Sequence, residues 1–135
     1  MLTKSKAAIA ASGLAIGLIA ATASSASATT LFTQGFGAGS YHASSDYIPG
    51  AGNIYVGSYC GGGGAATYGY TELRTTSGSH VNSSRSSACD GAFHDDSRVM
   101  TYASSGVSYY QRWYGQNGSL LTGYSAPSAG VRAFR

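Results

Sequence analysis

From residue 29 onward, apolar and polar positions alternate over short runs. The clearest run covers 107–114, where every second residue would point to the same side of a strand. One side would carry Val107, Tyr109, Gln111 and Trp113, and the other Ser108, Tyr110, Arg112 and Tyr114. Aromatic residues on both sides predict a β-strand whose two faces are both partly covered. No stretch keeps apolar residues at helical spacing for three turns, which argues against α-helices.

Similar runs predict further strands at 31–36, 53–60, 66–76, 98–104 and 120–124. Asn117-Gly118 lies between the 107–114 and 120–124 runs, and both residues accept the positive φ of a type I′ hairpin turn. The polar, Ser-rich stretch 77–87 is typical of a surface loop. Five to seven short antiparallel strands therefore predict a single all-β domain over 29–135, a β-sandwich or a small barrel.

The first 28 residues have the parts of a secretory signal peptide: Lys4 and Lys6, an uncharged run over 7–21, and the cleavage sequence Ala26-Ser27-Ala28. A membrane anchor is the alternative, but the run has about 15 residues and a spanning helix needs about 20. We expect Sec export, because there is no twin-Arg pair. The Ala-rich leader is typical of a Gram-positive bacterium. We expect a secreted, extracellular domain without a membrane span.

Charge and cysteine content narrow the function classes. Removal of Lys4 and Lys6 takes eight basic residues to six, against five acidic residues, so the net charge falls from +3 to +1. This balance does not provide the basic surface that nucleic-acid binding requires. Cys60 and Cys89 are the two cysteines, and in an exported protein an even count predicts a disulfide. Two cysteines alone do not make a zinc site, which needs four ligands.

Catalytic and metal-binding groups are sparse. Side-chain types used by small secreted ribonucleases occur at Glu72, Arg74, His80, His94 and Arg98. We interpret Glu72 and Arg74 instead as an exposed pair on one strand face. The cluster His94-Asp95-Asp96 has the donors for a cation, but a solvated loop is the simpler interpretation. No G-x-S-x-G nucleophile elbow is present. We therefore expect no enzyme activity, no cofactor and no metal.

Side-chain types that are typical of binding surfaces are more numerous than catalytic ones. The eleven Tyr are more than a small core can use, so some should reach the surface. Tyr110, Arg112 and Tyr114 would form one row of the side-chain types favoured at protein interfaces. Trp113 with Tyr109 could instead form a platform on which a sugar stacks. The segment 29–39, with Leu31, Phe32 and Phe36, is either an extended arm that inserts into a partner or an ordinary edge strand.

The signal peptide, the Tyr- and Gly-rich β domain and the single pair Cys60–Cys89 resemble small exported proteins of competition between bacteria. One such group is the lactococcin-type bacteriocins, whose N-terminal pattern is similar to 35–47, with its Tyr41-His42 and Ser44-Ser45-Asp46-Tyr47. The other is the adaptor subunit of umbrella toxin particles. The chain lacks the Trp-rich second half expected of the bacteriocins, so the adaptor resemblance is closer. It implies partners, a lectin-like subunit and a large toxin subunit, and insertion of Leu31, Phe32 and Phe36 into the lectin.

These observations predict a secreted, non-enzymatic protein–protein interaction module, the small adaptor of an extracellular antibacterial toxin complex. The expected binding residues are Leu31, Phe32, Phe36, Tyr110, Arg112, Trp113 and Tyr114. The alternatives are a free bacteriocin, a protease inhibitor with 77–87 as its exposed loop, and a carbohydrate or cell-wall binding module. A small hydrolase or nuclease built on Glu72 and either His80 or His94 is the enzymatic alternative.

Overall fold

The computed structural model describes residues 29–118 and 121–135. The proposed signal peptide, 1–28, lies outside them. The described residues form ten strands and no helix. The strands are β1 (Thr30–Phe36), β2 (Tyr41–Ala43), β3 (Gly52–Cys60), β4 (Tyr68–Thr75), β5 (His80–Ser83), β6 (Ser87–Ala88), β7 (Phe93–Ala103), β8 (Tyr109–Asn117), β9 (Leu121–Thr122) and β10 (Ala129–Phe134).

Two antiparallel sheets pack together, which confirms the predicted all-β sandwich. The first sheet has the order β1-β10-β3-β7. The second has the order β2-β8-β4-β5, with β6 paired to β4 and β9 paired to β8. The predicted disulfide is present: Cys60 ends β3 of the first sheet, and Cys89 follows β6 of the second. The bond therefore ties the two sheets together.

Side chains from both inner faces build the core. Its largest fully buried apolar side chains are Trp113, Ile54, Leu73, Val56 and Val131. Gln111 is fully buried among them and links the sheets: its amide nitrogen lies 3.2 Å from Thr71 Oγ1 and 3.4 Å from the carbonyl of Arg132. Its amide oxygen accepts a 2.7 Å hydrogen bond from the Tyr47 hydroxyl. These bonds satisfy a polar side chain that would otherwise be costly to bury.

Several predicted elements have different bounds. The stretch 77–87 is not one loop, because His80–Ser83 forms β5 along the edge of β4. The predicted strand 98–104 begins earlier, at Phe93. Asn117 is still in β8 and pairs with Leu121, so it does not belong to a two-residue turn with Gly118. Residues 119 and 120 lie outside the described part. The strand Ala129–Phe134 was not predicted, although it is central in the first sheet.

Candidate binding faces

The outer face of the second sheet gathers the predicted row Tyr110, Arg112 and Tyr114. These three residues are half-buried on β8 and alternate with Tyr109, Gln111 and Trp113, which are buried. Cross-strand pairing adds Tyr41 and Tyr70 on either side of Tyr114, Glu72 opposite Arg112, and Arg74 opposite Tyr110. We call this set the Tyr–Arg face: Tyr41, Tyr70, Glu72, Arg74, Tyr110, Arg112 and Tyr114.

Aromatic rings form one side of the Tyr–Arg face. The rings of Tyr70 and Tyr114 stack with centroids 5.1 Å apart, and Tyr41 approaches Tyr114 at 5.2 Å with its plane tilted by 56°. Burial raises the pKa of Tyr70, with a further rise from the negative charge of Glu72. Burial also raises the pKa of Tyr114. These hydroxyls are therefore uncharged at neutral pH, and the rings present large amphipathic surfaces.

The Tyr–Arg face has two arginines and one carboxylate, and the carboxylate pairs with only one of the arginines. Glu72 Oε1 accepts hydrogen bonds from Arg74 Nε at 3.1 Å and from the Tyr114 hydroxyl at 3.2 Å. Arg112 Nε donates to the Tyr110 hydroxyl at 3.1 Å, and its guanidinium lies 5.7 Å from the centre of that ring. Hydrogen bonding with Tyr114 raises the pKa of Arg112. Within the described residues Arg112 belongs to no ion pair, so this face has a cation with no carboxylate partner.

The side-chain types of a ribonuclease are divided between the sheets. Glu72, Arg74 and His80 share the second sheet, where His80 is opposite Arg74 and its Nε2 lies 2.8 Å from Ser83 Oγ. His94 is on β7 of the first sheet and pairs with Asp90 at 2.9 Å. The side chain of Arg98 lies outside the described part. The structure therefore does not bring His94 to Glu72.

The cluster His94-Asp95-Asp96 lies in β7, so the interpretation of these residues as a solvated loop was wrong. Asp95 is on the outer face, where it pairs with Arg132. Asp96 is buried, and its Oδ2 accepts a hydrogen bond from the backbone N–H of Arg85 at 3.1 Å and forms an ion pair with Arg85 Nε at 3.2 Å. Among the described residues, no three His, Cys, Asp or Glu side chains lie close enough together to hold a metal ion.

Trp113 and Tyr109 are core residues, which corrects their assignment to an exposed sugar platform. Trp113 is fully buried and Tyr109 is 4% exposed. The Trp113 ring lies against Gly69, where a Cβ would come within 2.9 Å of it. Gly69 therefore makes the room that the large indole needs inside the sandwich, and no ligand can stack on the ring while the sheets are packed.

The N-terminal segment 29–39 includes edge strand β1, paired with β10. Its apolar side chains pack within the domain. Phe32 stacks on Tyr47 with ring centroids 4.2 Å apart, and Phe36 stacks on His42 at 4.6 Å. Leu31 contacts the core cluster around Ile54. The structure therefore shows the edge-strand alternative for these three residues, and insertion into a partner would require this packing to open.

The first sheet has an outer face that the sequence did not predict. One cross-strand row runs through all four strands as Gly35, Gly130, Tyr59 and Phe93. The next row contains Arg132 and Asp95 on either side of Gly57. A groove of about 380 Å³ lies over the first row. The sequence did not predict this face because it did not predict β10, whose small residues show no strand pattern. The pairing of β10 with β1 and β3 sets which residues share each row.

No helix in the described residues is long and apolar enough to span a membrane. The disulfide is compatible with an extracellular location. Neither protein-family models nor curated proteins give a match to this chain.

Proposed function

We propose that this protein is a secreted, non-enzymatic interaction module that binds another extracellular protein through the Tyr–Arg face. The observation that carries the proposal is Arg112, a half-buried cation among four Tyr rings with no carboxylate partner in the described residues. Tyr and Arg are enriched where protein interfaces gain most of their binding energy. A partner that presents a carboxylate within an apolar surface would satisfy Arg112 and cover the rings.

Two further observations support a binding role over a catalytic one. Glu72, the carboxylate that a nuclease would use as its base, is held by Arg74 and Tyr114. Of the two histidine partners proposed from the sequence, His94 lies on the other sheet, and His80 shares the sheet of Glu72 with its Nε2 2.8 Å from Ser83 Oγ. The outer faces of the two sheets point in opposite directions, so the first sheet stays open while the Tyr–Arg face is covered. That arrangement suits a small adaptor. The place of this adaptor in an antibacterial toxin complex rests on the resemblance described above.

The test is affinity purification of the C-terminally tagged full chain from the culture medium of its own producer, followed by mass spectrometry. We expect larger secreted proteins to be recovered with it in fixed ratio. The same purification with Arg112→Ala should lose at least one of them, whereas Tyr102→Ala should retain them all. Tyr102 is the matched control because it is 67% exposed on the other sheet. Recovery of the wild-type chain alone would contradict the proposal and favour a free bacteriocin or an inhibitor.

A further inference from the structure

The groove on the first sheet is created by two glycines that face each other. Gly35 of edge strand β1 pairs with Gly130 of β10, and Gly130 pairs on its other side with Tyr59 of β3. A Cβ built on Gly35 meets no atom within 4 Å. A Cβ on Gly130 would lie 3.2 Å from the carbonyl oxygen of Gln34 and 3.5 Å from both Phe93 Cζ and Tyr59 Cβ. Two neighbouring positions without side chains, on adjacent strands, thus leave a floor about 10 Å wide beside an aromatic wall.

The wall and rim combine apolar rings with hydroxyls. Tyr59 and Phe93 meet edge-to-face with centroids 5.6 Å apart. The Tyr59 hydroxyl is 3.3 Å from Ser128 Oγ, and Thr33 also lines the groove. Binding sites for small ligands are typically concave and mostly apolar, with a few placed polar groups, and enclose about 300–1,000 Å³. The groove meets this description and opens to solvent at the edge of the sheet.

Charge beside the groove is already neutralised. Arg132 lies 4.4 Å from the centre of the Phe93 ring, and its Nε and Nη2 donate hydrogen bonds to the two carboxylate oxygens of Asp95. The hydrogen bond with Asp95 raises the pKa of Arg132, so the guanidinium stays charged and paired. Among the described residues, the positive charge beside the groove is thus balanced by the Asp95 carboxylate before any ligand binds. The local chemistry fits an uncharged ligand with both hydroxyls and apolar faces.

Backbone geometry argues against an extended peptide as the ligand. Peptides that join a sheet do so at its edge, where unpaired N–H and C=O groups are exposed. The floor of this groove is a sheet face, and β10 is already paired on both sides, to β1 and to β3. Recognition must therefore come from rings and hydroxyls. We infer that the groove lined by Gly35, Gly130, Tyr59, Phe93 and Ser128 is a binding site for a neutral saccharide chain, with a pyranose face against the aromatic wall.

This site is independent of the Tyr–Arg face, so it is tested on the purified chain without any partner. The probes are the neutral hexasaccharides of N-acetylglucosamine, glucose and mannose, together with a neutral hexapeptide, each titrated by NMR. We expect saturable shifts at Gly35, Gly130 and Ser128 with at least one saccharide, at probe concentrations up to about 10 mM, which would nearly saturate a site with a Kd of about 1 mM.

Gly35→Val should weaken that binding at least tenfold, because its side chain would project into the groove. Gly37→Val is the matched control: a Cβ there also meets open space, but Gly37 does not line the groove. It should change affinity less than twofold. The inference is overturned if no saccharide binds, if only the peptide binds, or if Gly35→Val keeps its affinity while its amide spectrum shows an intact fold.

Discussion

Arg132 and Asp95 form a bidentate ion pair directly above Gly57, the residue that lies between them on the central strand β3. The two partners come from β10 and β7, which flank β3 on either side. A side chain at the intervening position would separate them. The missing side chain of Gly57 therefore allows one ion pair to span three strands.

Gly57→Ala should consequently destabilise the fold. The new Cβ would overlap Asp95 Oδ1 and would lie 3.2 Å from the Asp95 Cα. Crowding of this kind costs about 1–3 kcal/mol, which urea unfolding would measure as a lower midpoint at unchanged slope. Gly37→Ala, a substitution into open space, is the control and should stay within about 0.5 kcal/mol of wild type. Equal stability of the two variants would show that the pair tolerates a side chain beneath it.

The disulfide should supply a large part of the stability. It closes a loop with a sequence separation of 29, and such a loop is worth about 3–4 kcal/mol through the entropy of the unfolded chain. The double variant Cys60→Ser/Cys89→Ser should lose this amount in urea unfolding. Reduction of the wild-type protein should produce the same urea midpoint as the double variant. A loss of unfolding free energy below about 1 kcal/mol would mean that packing alone holds the two sheets together.

The Gln111–Tyr47 hydrogen bond offers a double-mutant cycle. Gln111→Leu removes the acceptor of the Tyr47 hydroxyl and leaves it half-buried without this partner. An unsatisfied buried group costs about 1–3 kcal/mol. Adding Tyr47→Phe to Gln111→Leu removes the hydroxyl that has lost its acceptor. The double variant should therefore lose less stability than the sum of the losses of the two single variants. Strict additivity would indicate that the two side chains do not interact.

His42 should make stability depend on pH. Burial lowers its pKa below the ordinary value of 6.5, and its Nε2 has no hydrogen-bond partner in the described residues. The unfolded chain then binds the proton more readily than the folded one. Stability from this group is complete above pH 6.5 and decreases as the pH falls from there through the folded-state pKa.

His42→Phe keeps a ring to stack on Phe36 and removes the titrating group. The unfolding free energy of the wild type should therefore fall relative to that of the variant as the pH is lowered from 7 to 5. Parallel pH curves for the two proteins would assign the dependence to other residues.

The fold was more predictable than the binding faces. Strands β3, β4 and β8 are rich in aromatic or β-branched residues, and all three were predicted from the sequence. Strand β10 reads Ala-Gly-Val-Arg-Ala-Phe, and its Ala129 and Val131 are buried in a cluster with Trp113 of the second sheet. The order of apolar and polar residues within 129–134 does not show that these small residues will be buried.

Long-range partners explain the other differences. Asp95 belongs to a polar cluster in the sequence, yet it lies in a strand because Arg132, 37 residues away, neutralises it. Trp113 suggested a surface platform, but Gly69 clears the space that buries it. The row Tyr110, Arg112 and Tyr114 was predictable because its residues lie on one strand. The groove over Gly35 and Gly130 was not, since its two glycines are 95 positions apart in the chain and become neighbours only through β1–β10 pairing.

The most direct test of the central claim is the affinity of the co-purified partner for three variants of this chain, measured by titration calorimetry. Arg112→Ala and Tyr114→Ala should each weaken binding by about 30-fold or more, the effect of a residue worth about 2 kcal/mol at an interface. Tyr102→Ala should leave affinity within about twofold of wild type. If Tyr102→Ala abolishes binding while Arg112→Ala and Tyr114→Ala do not, the partner binds the first sheet and the Tyr–Arg face is not the interaction surface.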